Sequence, residues 1–271
     1  MSISLTELLV LRNRPASEIT DRYAERTRVR FDHDNGFPVL ICTYMDADLA
    51  HTIAALGRST IRLAPLVINN APGQDEASLH ARTMGARVLE EPIKGQMRAF
   101  QTGLQAFTRN RPGAPIMITD ADCLPTKRWG ETMLHRARLR HDIGGIASGG
   151  VVLEHGPSFA TDTLRTAYAF GGDVGRRVFG HRSKVRGANI MMQFGSDTDI
   201  MSEVMDQPAD VFPRDAVLRD NVQAAGGDVL SVLDPRSIVL TRGDRFNSVA
   251  ALVDDLIHGE TNRADRYREP T

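Results

Sequence analysis

Short extended segments alternate with amphipathic segments through the first half of the chain. Of all the features of the sequence, this alternation constrains the possible folds most. Four segments have the length and composition of short buried strands, and the three segments between them place apolar residues at helical spacing. The predicted strands are 38–44, 64–70, 86–91 and 114–120, and the predicted helices are 48–59, 75–85 and 94–110. Because strands that alternate with helices form parallel sheets, the sequence predicts an α/β fold with a mostly parallel sheet.

The chain after Pro125 has the same kinds of segment in a looser order, with more glycine. Its predicted elements are a helix at 129–141, a Gly-rich strand at 144–156, a strand or turn at 186–195, a helix at 214–229, strands near 228–233 and 237–241, and a helix at 247–258. Residues 157–185 are predicted to include a loop, and Trp129 is predicted to pack its helix on the sheet. With no internal repeat and no biased linker, we expect one domain.

A helical arm precedes the first predicted strand and is interrupted by Pro15. Leu5, Leu8 and Leu9 recur at helical spacing before the proline, and Ser17 is suited to cap the piece after it. This spacing leaves two alternatives open: the arm packs on the main fold, or it joins a second copy in a homodimer. The expected divisions are an arm at 1–36, a single domain at 37–258 and a polar tail at 259–271.

The balance of charges argues against a strongly charged partner. The chain has 33 Lys plus Arg and 34 Asp plus Glu, a net charge of −1, so no overall field favours nucleic acid or an anionic membrane. No segment has the long apolar run of a membrane span, and the N-terminus lacks the features of a signal peptide. Cys42 and Cys123 lack metal-site spacing. We therefore expect a cytoplasmic protein with reduced thiols.

Two carboxylates follow the fourth predicted strand where its apolar run ends. Asp120 and Asp122 are separated by one residue, so on a regular strand they would point to the same face. Carboxylate oxygens are ligands of hard cations such as Mg²⁺ and Mn²⁺, which share their coordination with substrate phosphates. The alternative is that these aspartates cap the following turn, which is common at strand ends. The spacing alone leaves both open.

Polar pairs also follow the first two predicted strands: Thr43-Tyr44 and Asn69-Asn70. In open α/β sheets, ligands bind outside the carboxyl ends of the strands. We therefore expect these pairs to converge with Asp120 on one crevice. For Asn70 the alternative is an ordinary turn, because the run Asn-Asn-Ala-Pro-Gly has turn chemistry.

The order of these motifs resembles the GT-A fold glycosyltransferases of family 2. The matching segments are PVLICTYMDADL, LVINNAPGQD, KGQMRAFQTGL, IMITDADCLP, RGANIMM and RDAVLRDNVQAAGG. Four residues fall in register with the family's Gly-led helix, namely Gly95, Ala99, Gly103 and Leu104. Gln101 stands where the family usually has Asn. The likeness extends over residues 37–245, and the shared order of the motifs carries it.

The resemblance implies transfer of a sugar from a nucleotide-diphosphate sugar, with UDP the expected nucleotide, to an acceptor hydroxyl with inversion. Asp122 would be the direct ligand of Mn²⁺ or Mg²⁺, and Asp120 would lie near the ribose and the metal water. Asp244 or a water would stand in for a histidine that some members supply as a further ligand, and the alternative for Asp244 is an ordinary acidic residue of a loop. Residues 37–125 would hold the donor and the metal, and residues 126–258 the acceptor and the base.

The resemblance also implies roles for residues outside the metal site. The donor and nucleotide pocket would contain Thr43, Tyr44, Asn69, Asn70, Arg98, Asp120 and Ala121. The acceptor and sugar pocket would contain Gly187, Ala188, Asn189 and Arg214. Asp215 would be the general base that takes the proton from the acceptor hydroxyl.

A departure from the family pattern keeps other functions open. Arg214 precedes Asp215 where the family has Glu, and an ion pair between them would lower the pKa of Asp215 and weaken it as a base. An acidic residue in the first turn of a helix is also favoured by the helix dipole alone. A GT-A-like protein that binds nucleotide or glycan without catalysis is therefore the second hypothesis. A nucleotidyltransferase ranks lower, because the segment after the first strand lacks that class's Gly-rich basic loop.

Overall fold

The computed structural model describes residues 5–71, 73, 76–153, 188–195, 200–208 and 214–242. Helices α1 to α8 of this part of the chain are Leu5–Arg12, Ala16–Arg30, Leu49–Leu56, Glu76–Thr83, Gln96–Asn110, Trp129–Ala137, Ile200–Met205 and Arg214–Ala224. Strands β1 to β10 are Phe37–Thr43, Leu63–Asn69, Arg87–Glu90, Ile116–Asp120, Leu124–Pro125, Gly144–Gly149, Val151–Leu153, Ile190–Phe194, Asp228–Val232 and Val239–Thr241. The predicted loop at 157–185, helix at 247–258 and tail at 259–271 lie outside the described residues.

The strands form two sheets. The larger has seven strands in the order β3-β2-β1-β4-β8-β6-β9, and the smaller has three in the order β5-β10-β7. Strand β8 runs antiparallel to its neighbours β4 and β6, whereas the other neighbouring pairs of the larger sheet are parallel. The larger sheet is therefore mostly parallel and is flanked by helices. The prediction of an α/β fold with a smaller second sheet region is confirmed.

Side chains of the central strands alternate between two apolar layers, because successive residues of a strand point to opposite faces. Val39 and Ile41 of β1 pack in the layer formed with α1 to α4 and α6, whereas Leu40 packs in the layer formed with α5, α7 and α8. All three side chains are fully buried. Burial of one such side chain contributes about 1.5–3 kcal/mol. A strand covered on both faces thus explains the continuous apolar run after Pro38.

The N-terminal arm packs on the main fold. Leu8 and Leu11 of α1 and Ile19 of α2 are buried in the same layer as α3. Pro15 separates the two helices as predicted, but α2 begins at Ala16 without a side-chain cap. Ser17 therefore lies within the first turn and not before it. A homodimer formed through the arm stays a prediction.

The predicted Gly-rich strand at 144–156 is divided between the two sheets, with β6 in the larger and β7 in the smaller. Gly149 ends β6 in close contact with Asn189: an added Cβ would lie 2.5 Å from the side-chain nitrogen of Asn189. Trp129, at the start of α6, is buried in the layer against the sheet, as predicted. The absence of a side chain at Gly149 thus lets the chain change sheets beside Asn189.

The described helices are short. The longest, α2 and α5, have 15 residues each. Within the described ranges, no helix has both the length and the apolar character needed to cross a membrane.

Candidate active site

Two Asp-Ala-Asp turns lie side by side where the parallel strands of the larger sheet have their carboxyl ends, which we call the carboxyl edge of the sheet. The first turn (residues 46–48) follows β1, and the second turn (residues 120–122) begins at the last residue of β4. Strands β1 and β4 are parallel neighbours, with Cys42 opposite Asp120. Strand β2 is the other neighbour of β1 and ends with Asn69 opposite Thr43. The three strand ends predicted to converge therefore meet at one edge of the sheet.

The second turn carries a group of metal-ligating atoms. One ligand atom from each of Asp120, Asp122 and Cys123 lies within 4.8 Å of the others. The hydroxyl of Thr241 donates a 3.2 Å hydrogen bond to Oδ2 of Asp122, and the thiol of Cys123 donates at 3.4 Å to Oδ1. Both aspartates are half-buried. The hydrogen bond to Thr241 thus ties the second turn to β10 of the smaller sheet, while both carboxylates remain partly exposed to solvent.

The charges at this edge favour a bound cation. Burial raises the pKa of Asp122, and the carboxylates of Asp120 and Asp46 raise it further. Burial also raises the pKa of Asp46. The pKa of the Cys123 thiol is raised well above its usual value by burial and by the two neighbouring aspartates, so the neutral thiol is a poor ligand. The carboxylate oxygens that remain suit Mg²⁺ or Mn²⁺, whose other positions are filled by phosphate and water.

Asp48 of the first turn is a buried carboxylate shared by basic groups from different parts of the chain. Its Oδ2 lies 3.0 Å from Nη1 of Arg12 and 2.5 Å from Nε of Arg242. Its Oδ1 lies 3.6 Å from Nδ1 of His51, whose Nε2 is 2.7 Å from the carbonyl oxygen of Arg14. The first turn is therefore held by ion pairs to the N-terminal arm and to the segment after β10.

Arg12 connects the two turns. Its Nη2 donates to the main-chain carbonyl of Asp122, while its Nη1 pairs with Asp48. The Arg12 side chain is only 7% exposed. The hydroxyl of Thr52 on α3 donates a 2.6 Å hydrogen bond to the carbonyl of Ala121, the middle residue of the second turn. Side chains from two helices thus fix the backbone of the second turn.

Sequence reasoning did not identify Arg12, Asp48 or Arg242 as site residues. Asp48 had an available signal, because the same Asp-Ala-Asp sequence follows two predicted strands. Arg12 had none, since its bond to Asp122 joins positions 110 residues apart and depends on how α1 docks.

Thr43 and Tyr44 lie at the end of β1, beside the first turn. Thr43 is 4% exposed, and its hydroxyl has no hydrogen-bond partner among the described residues. Tyr44 is 55% exposed, with Nζ of Lys94 5.7 Å from its ring centroid. A buried hydroxyl without a partner is costly, so a ligand that bonds the Thr43 hydroxyl would gain free energy there.

The two predicted asparagines use their amides within the protein. Asn69 donates a 2.7 Å hydrogen bond to a carboxylate oxygen of Glu90. Asn70 donates at 2.7 Å to the carbonyl of Ile93 and accepts at 2.8 Å from the backbone nitrogen of Gly95. Asn70 therefore fixes the loop that leads into α5. Contact of either amide with a nucleotide base stays a prediction.

Arg98 lies in the first turn of α5, with Nε 3.5 Å from the buried carboxylate of Glu91. Its side chain is 40% exposed, and Glu91 also accepts a hydrogen bond from Thr102. The pair anchors Arg98 near the end of β3. Contact of Arg98 with the donor stays a prediction.

Two of the predicted acceptor residues, Ala188 and Asn189, directly precede β8. Asn189 is fully buried: its Oδ1 accepts a 2.8 Å hydrogen bond from Nε1 of Trp129, and its Nδ2 donates at 2.7 Å to the carbonyls of Gly150 and Ser237. Ala188 precedes it and is half-buried. A direct contact of the Asn189 amide with a sugar stays a prediction, and it would require these bonds to break.

Asp215 lies in the first turn of α8 and is half-buried. Helix α8 packs on β6 and β9, and residues 225–227 join it to the start of β9. The C-terminal end of α8 therefore lies close to the start of β9. The side chain of Arg214, and the whole of Gly187 and Asp244, are outside the described residues.

No protein-family model matches this chain, and no curated protein matches it either. Several solved structures are similar to it. One is 4-diphosphocytidyl-2C-methyl-D-erythritol synthase, with a TM-score of 0.47 and 14% identity over 82% of this chain and 100% of that chain. Another is glucosyl-3-phosphoglycerate synthase from Mycobacterium tuberculosis in complex with Mn²⁺, UDP-glucose and phosphoglyceric acid, with a TM-score of 0.48 and 12% identity over 89% and 84%. A third is a mycobacterial protein, with a TM-score of 0.49 and 13% identity over 92% and 80%.

Proposed function

We propose that this chain is a metal-dependent glycosyltransferase that moves a sugar from a UDP-sugar to an acceptor hydroxyl with inversion. The observation that supports this most is the carboxylate pair of the second turn, half-buried at the carboxyl edge of a parallel sheet. The motif order over residues 37–245, which resembles family-2 GT-A enzymes, is the second support.

The donor would lie across the ends of β2, β1 and β4. The exposed ring of Tyr44 would face the nucleotide, and the buried hydroxyl of Thr43 would gain a hydrogen-bond partner. Asn69, Asn70 and Arg98 would shape the base end of this pocket. The diphosphate would then lie toward the second turn.

Mn²⁺ or Mg²⁺ would be held by Asp122, with Asp120 beside it and Asp244 as a proposed further ligand. When bound, the ion neutralises the negative charge that develops on the leaving diphosphate. The fit rests on the donor set: carboxylates whose pKa is raised by burial and by each other are stabilised in their ionised form by a divalent cation.

Asp215 would accept the proton of the acceptor hydroxyl as that oxygen attacks the anomeric carbon from the face opposite the diphosphate. The bond from the anomeric carbon to the diphosphate oxygen breaks as the new glycosidic bond forms, so UDP leaves and the configuration inverts. Gly187, Ala188, Asn189 and Arg214 would border the acceptor and the sugar.

Release of UDP from a panel of UDP-sugars by hydrolysis, in which water takes the place of the acceptor hydroxyl and receives the sugar, tests this proposal when measured with and without Mn²⁺. We expect the wild type to release UDP from one donor in a Mn²⁺-dependent way. Asp215→Asn should lower kcat by about 10²–10⁴-fold while the KM for the donor stays unchanged. Asp142→Asn is the matched control, because Asp142 is an exposed carboxylate at the opposite edge, just before β6.

The same assay separates the rival functions. Donor binding without UDP release, with every acceptor tried, would instead support a protein that binds without catalysis. Release of pyrophosphate from UTP and a sugar 1-phosphate would identify a nucleotidyltransferase. Either result would contradict the proposed transfer.

A further inference from the structure

Arg12 reaches the active-site edge from the N-terminal arm, outside the α/β fold itself. Helix α1 is docked by Leu8 and Leu11, both of which are buried. From this helix the guanidinium extends between the two Asp-Ala-Asp turns, pairing with Asp48 and donating to the carbonyl of Asp122. The side chain is therefore a buried bridge between two backbone turns.

Asp48 explains how a guanidinium can stand next to a cation site. A lone positive charge there would repel a divalent ion. The buried carboxylate of Asp48 pairs with both Arg12 and Arg242, and the carboxylate of Asp46 lies close enough to interact with the same two guanidiniums, so two negative charges offset two positive ones. One contact between Arg12 and the second turn is made to a main-chain oxygen, the carbonyl of Asp122.

We propose that Arg12 is a positioning residue of the carboxylate site and that Asp48 is its anchor. By holding the carbonyl of Asp122, Arg12 fixes the second turn and hence the direction of the Asp122 carboxylate. Groups that orient metal ligands in this way strongly affect metal affinity. The effect on metal affinity rests on the proposed function, whereas the ordering of the second turn does not.

The planar fork of the guanidinium suits this task. It presents several N–H groups in fixed directions, so one nitrogen can pair with Asp48 while another donates to the Asp122 carbonyl. A lysine has a single compact ammonium and cannot reproduce both contacts with the same geometry. Arg12→Lys should therefore retain only part of the order of the second turn. Arg12→Met should keep the apolar packing of the side-chain stem while losing both contacts.

Two measurements on the full chain test the proposal. Hydrogen exchange reports the order of the second turn, including the Cys123 amide that donates to the Asp120 carbonyl at 3.2 Å. Calorimetry in the presence of UDP reports the affinity for Mn²⁺. In Arg12→Met we expect faster exchange at residues 120–123 and Mn²⁺ affinity lowered about tenfold or more. Guanidinium ion added at millimolar concentration should recover part of the affinity, which a merely unfolded arm would not show.

Arg58→Ala is the matched control. It removes the 2.5 Å ion pair between Arg58 and Glu7, which also links α1 to the main fold but lies outside the two turns. Unchanged exchange and Mn²⁺ affinity in Arg12→Met would overturn the proposal, and so would equal losses in Arg12→Met and Arg58→Ala. If the wild type binds no Mn²⁺ with UDP, the proposed function fails. Hydrogen exchange at residues 120–123 then tests the positioning role of Arg12 separately. Faster exchange in Arg12→Met but not in Arg58→Ala would support this role, and any other result would overturn it.

Discussion

The indole Nε1 of Trp129 donates a 2.8 Å hydrogen bond to Oδ1 of Asn189, and both side chains are buried. The bond joins the start of α6 to the residue that precedes β8. Because the other end of the Asn189 amide bonds the carbonyls of Gly150 and Ser237, one side chain holds together the region where the chain passes between the two sheets.

Trp129→Phe should reveal the strength of this link. The substitution leaves a buried acceptor of Asn189 unpaired, so we expect the free energy of unfolding to fall by about 1–3 kcal/mol, with a further loss from reduced packing. Urea denaturation of Trp129→Phe, Asn189→Ala and the double variant forms a cycle that isolates the pair. Strictly additive effects would contradict a direct energetic coupling.

Thr43→Val should separate stability from ligand binding. Valine has nearly the same shape as threonine but lacks the hydroxyl, which has no partner among the described residues. We expect the melting temperature to be unchanged or higher, because no buried hydroxyl is left unsatisfied. Donor affinity should fall by about five- to tenfold, the loss of one hydrogen bond of about 1 kcal/mol. A lower melting temperature with unchanged donor affinity would show that the hydroxyl serves the fold and not the ligand.

Gly145→Ala and Gly113→Ala should differ sharply although both glycines have positive φ, 155° and 75°. At Gly145 an added Cβ would lie 2.3 Å from the carbonyl oxygen of Asp228, whereas at Gly113 it meets nothing within 4 Å. We expect Gly113→Ala to cost about 1–2 kcal/mol of stability from backbone strain alone. Gly145→Ala should cost several times more, because β6 and β9 must separate, and equal costs in chemical denaturation would contradict that packing.

Asp234 should contribute to the acid sensitivity of the fold. Hydrogen bonds from the Arg236 guanidinium hold the pKa of Asp234 well below its usual range. A hydrogen bond from the backbone nitrogen of Arg236 and the positive charge of Arg136 lower this pKa further. Its folded pKa is lower than its unfolded pKa of about 3.9. The stabilisation is therefore complete above the unfolded pKa and is lost as pH falls through the folded pKa.

Asp234→Asn should accordingly flatten the dependence of stability on pH below about pH 5. At neutral pH its cost should be only about 1 kcal/mol, because the Arg236 side chain is 46% exposed and solvent screens the pair. Unfolding by urea at a series of pH values measures both quantities. Asp34→Asn, at an exposed position, is the control, and a parallel drop in stability for both variants at all pH values would contradict the assignment.

Much of the fold was readable from the sequence because the local signals agree with the tertiary structure. The apolar run from Val39 to Cys42 is continuous because β1 is covered on both faces. Gly95 marks the start of α5 because its φ of 146° is accessible to glycine. The division of the Gly-rich segment into β6 and β7 was not readable, since it depends on the close approach of Gly149 to Asn189.

The candidate site was readable only where it follows strand ends. Asp120 and Asp122 stand at the end of an apolar run, and the rule that ligands bind at the carboxyl edge placed them beside Thr43. Arg12 could not be found this way, because its part in the site comes from the docking of a distant helix. The buried bonds of Asn189 were equally hidden, since a motif match does not show where an amide points.

Calorimetric binding of UDP-sugars to the wild type and to Asp122→Ala, with and without Mn²⁺, tests the central claim most directly. We predict that one donor binds the wild type only when Mn²⁺ is present and that Asp122→Ala, although folded, loses this binding. If the folded wild type binds no UDP-sugar under either condition, the aspartates of the second turn only cap the end of β4, and the proposed transfer is contradicted.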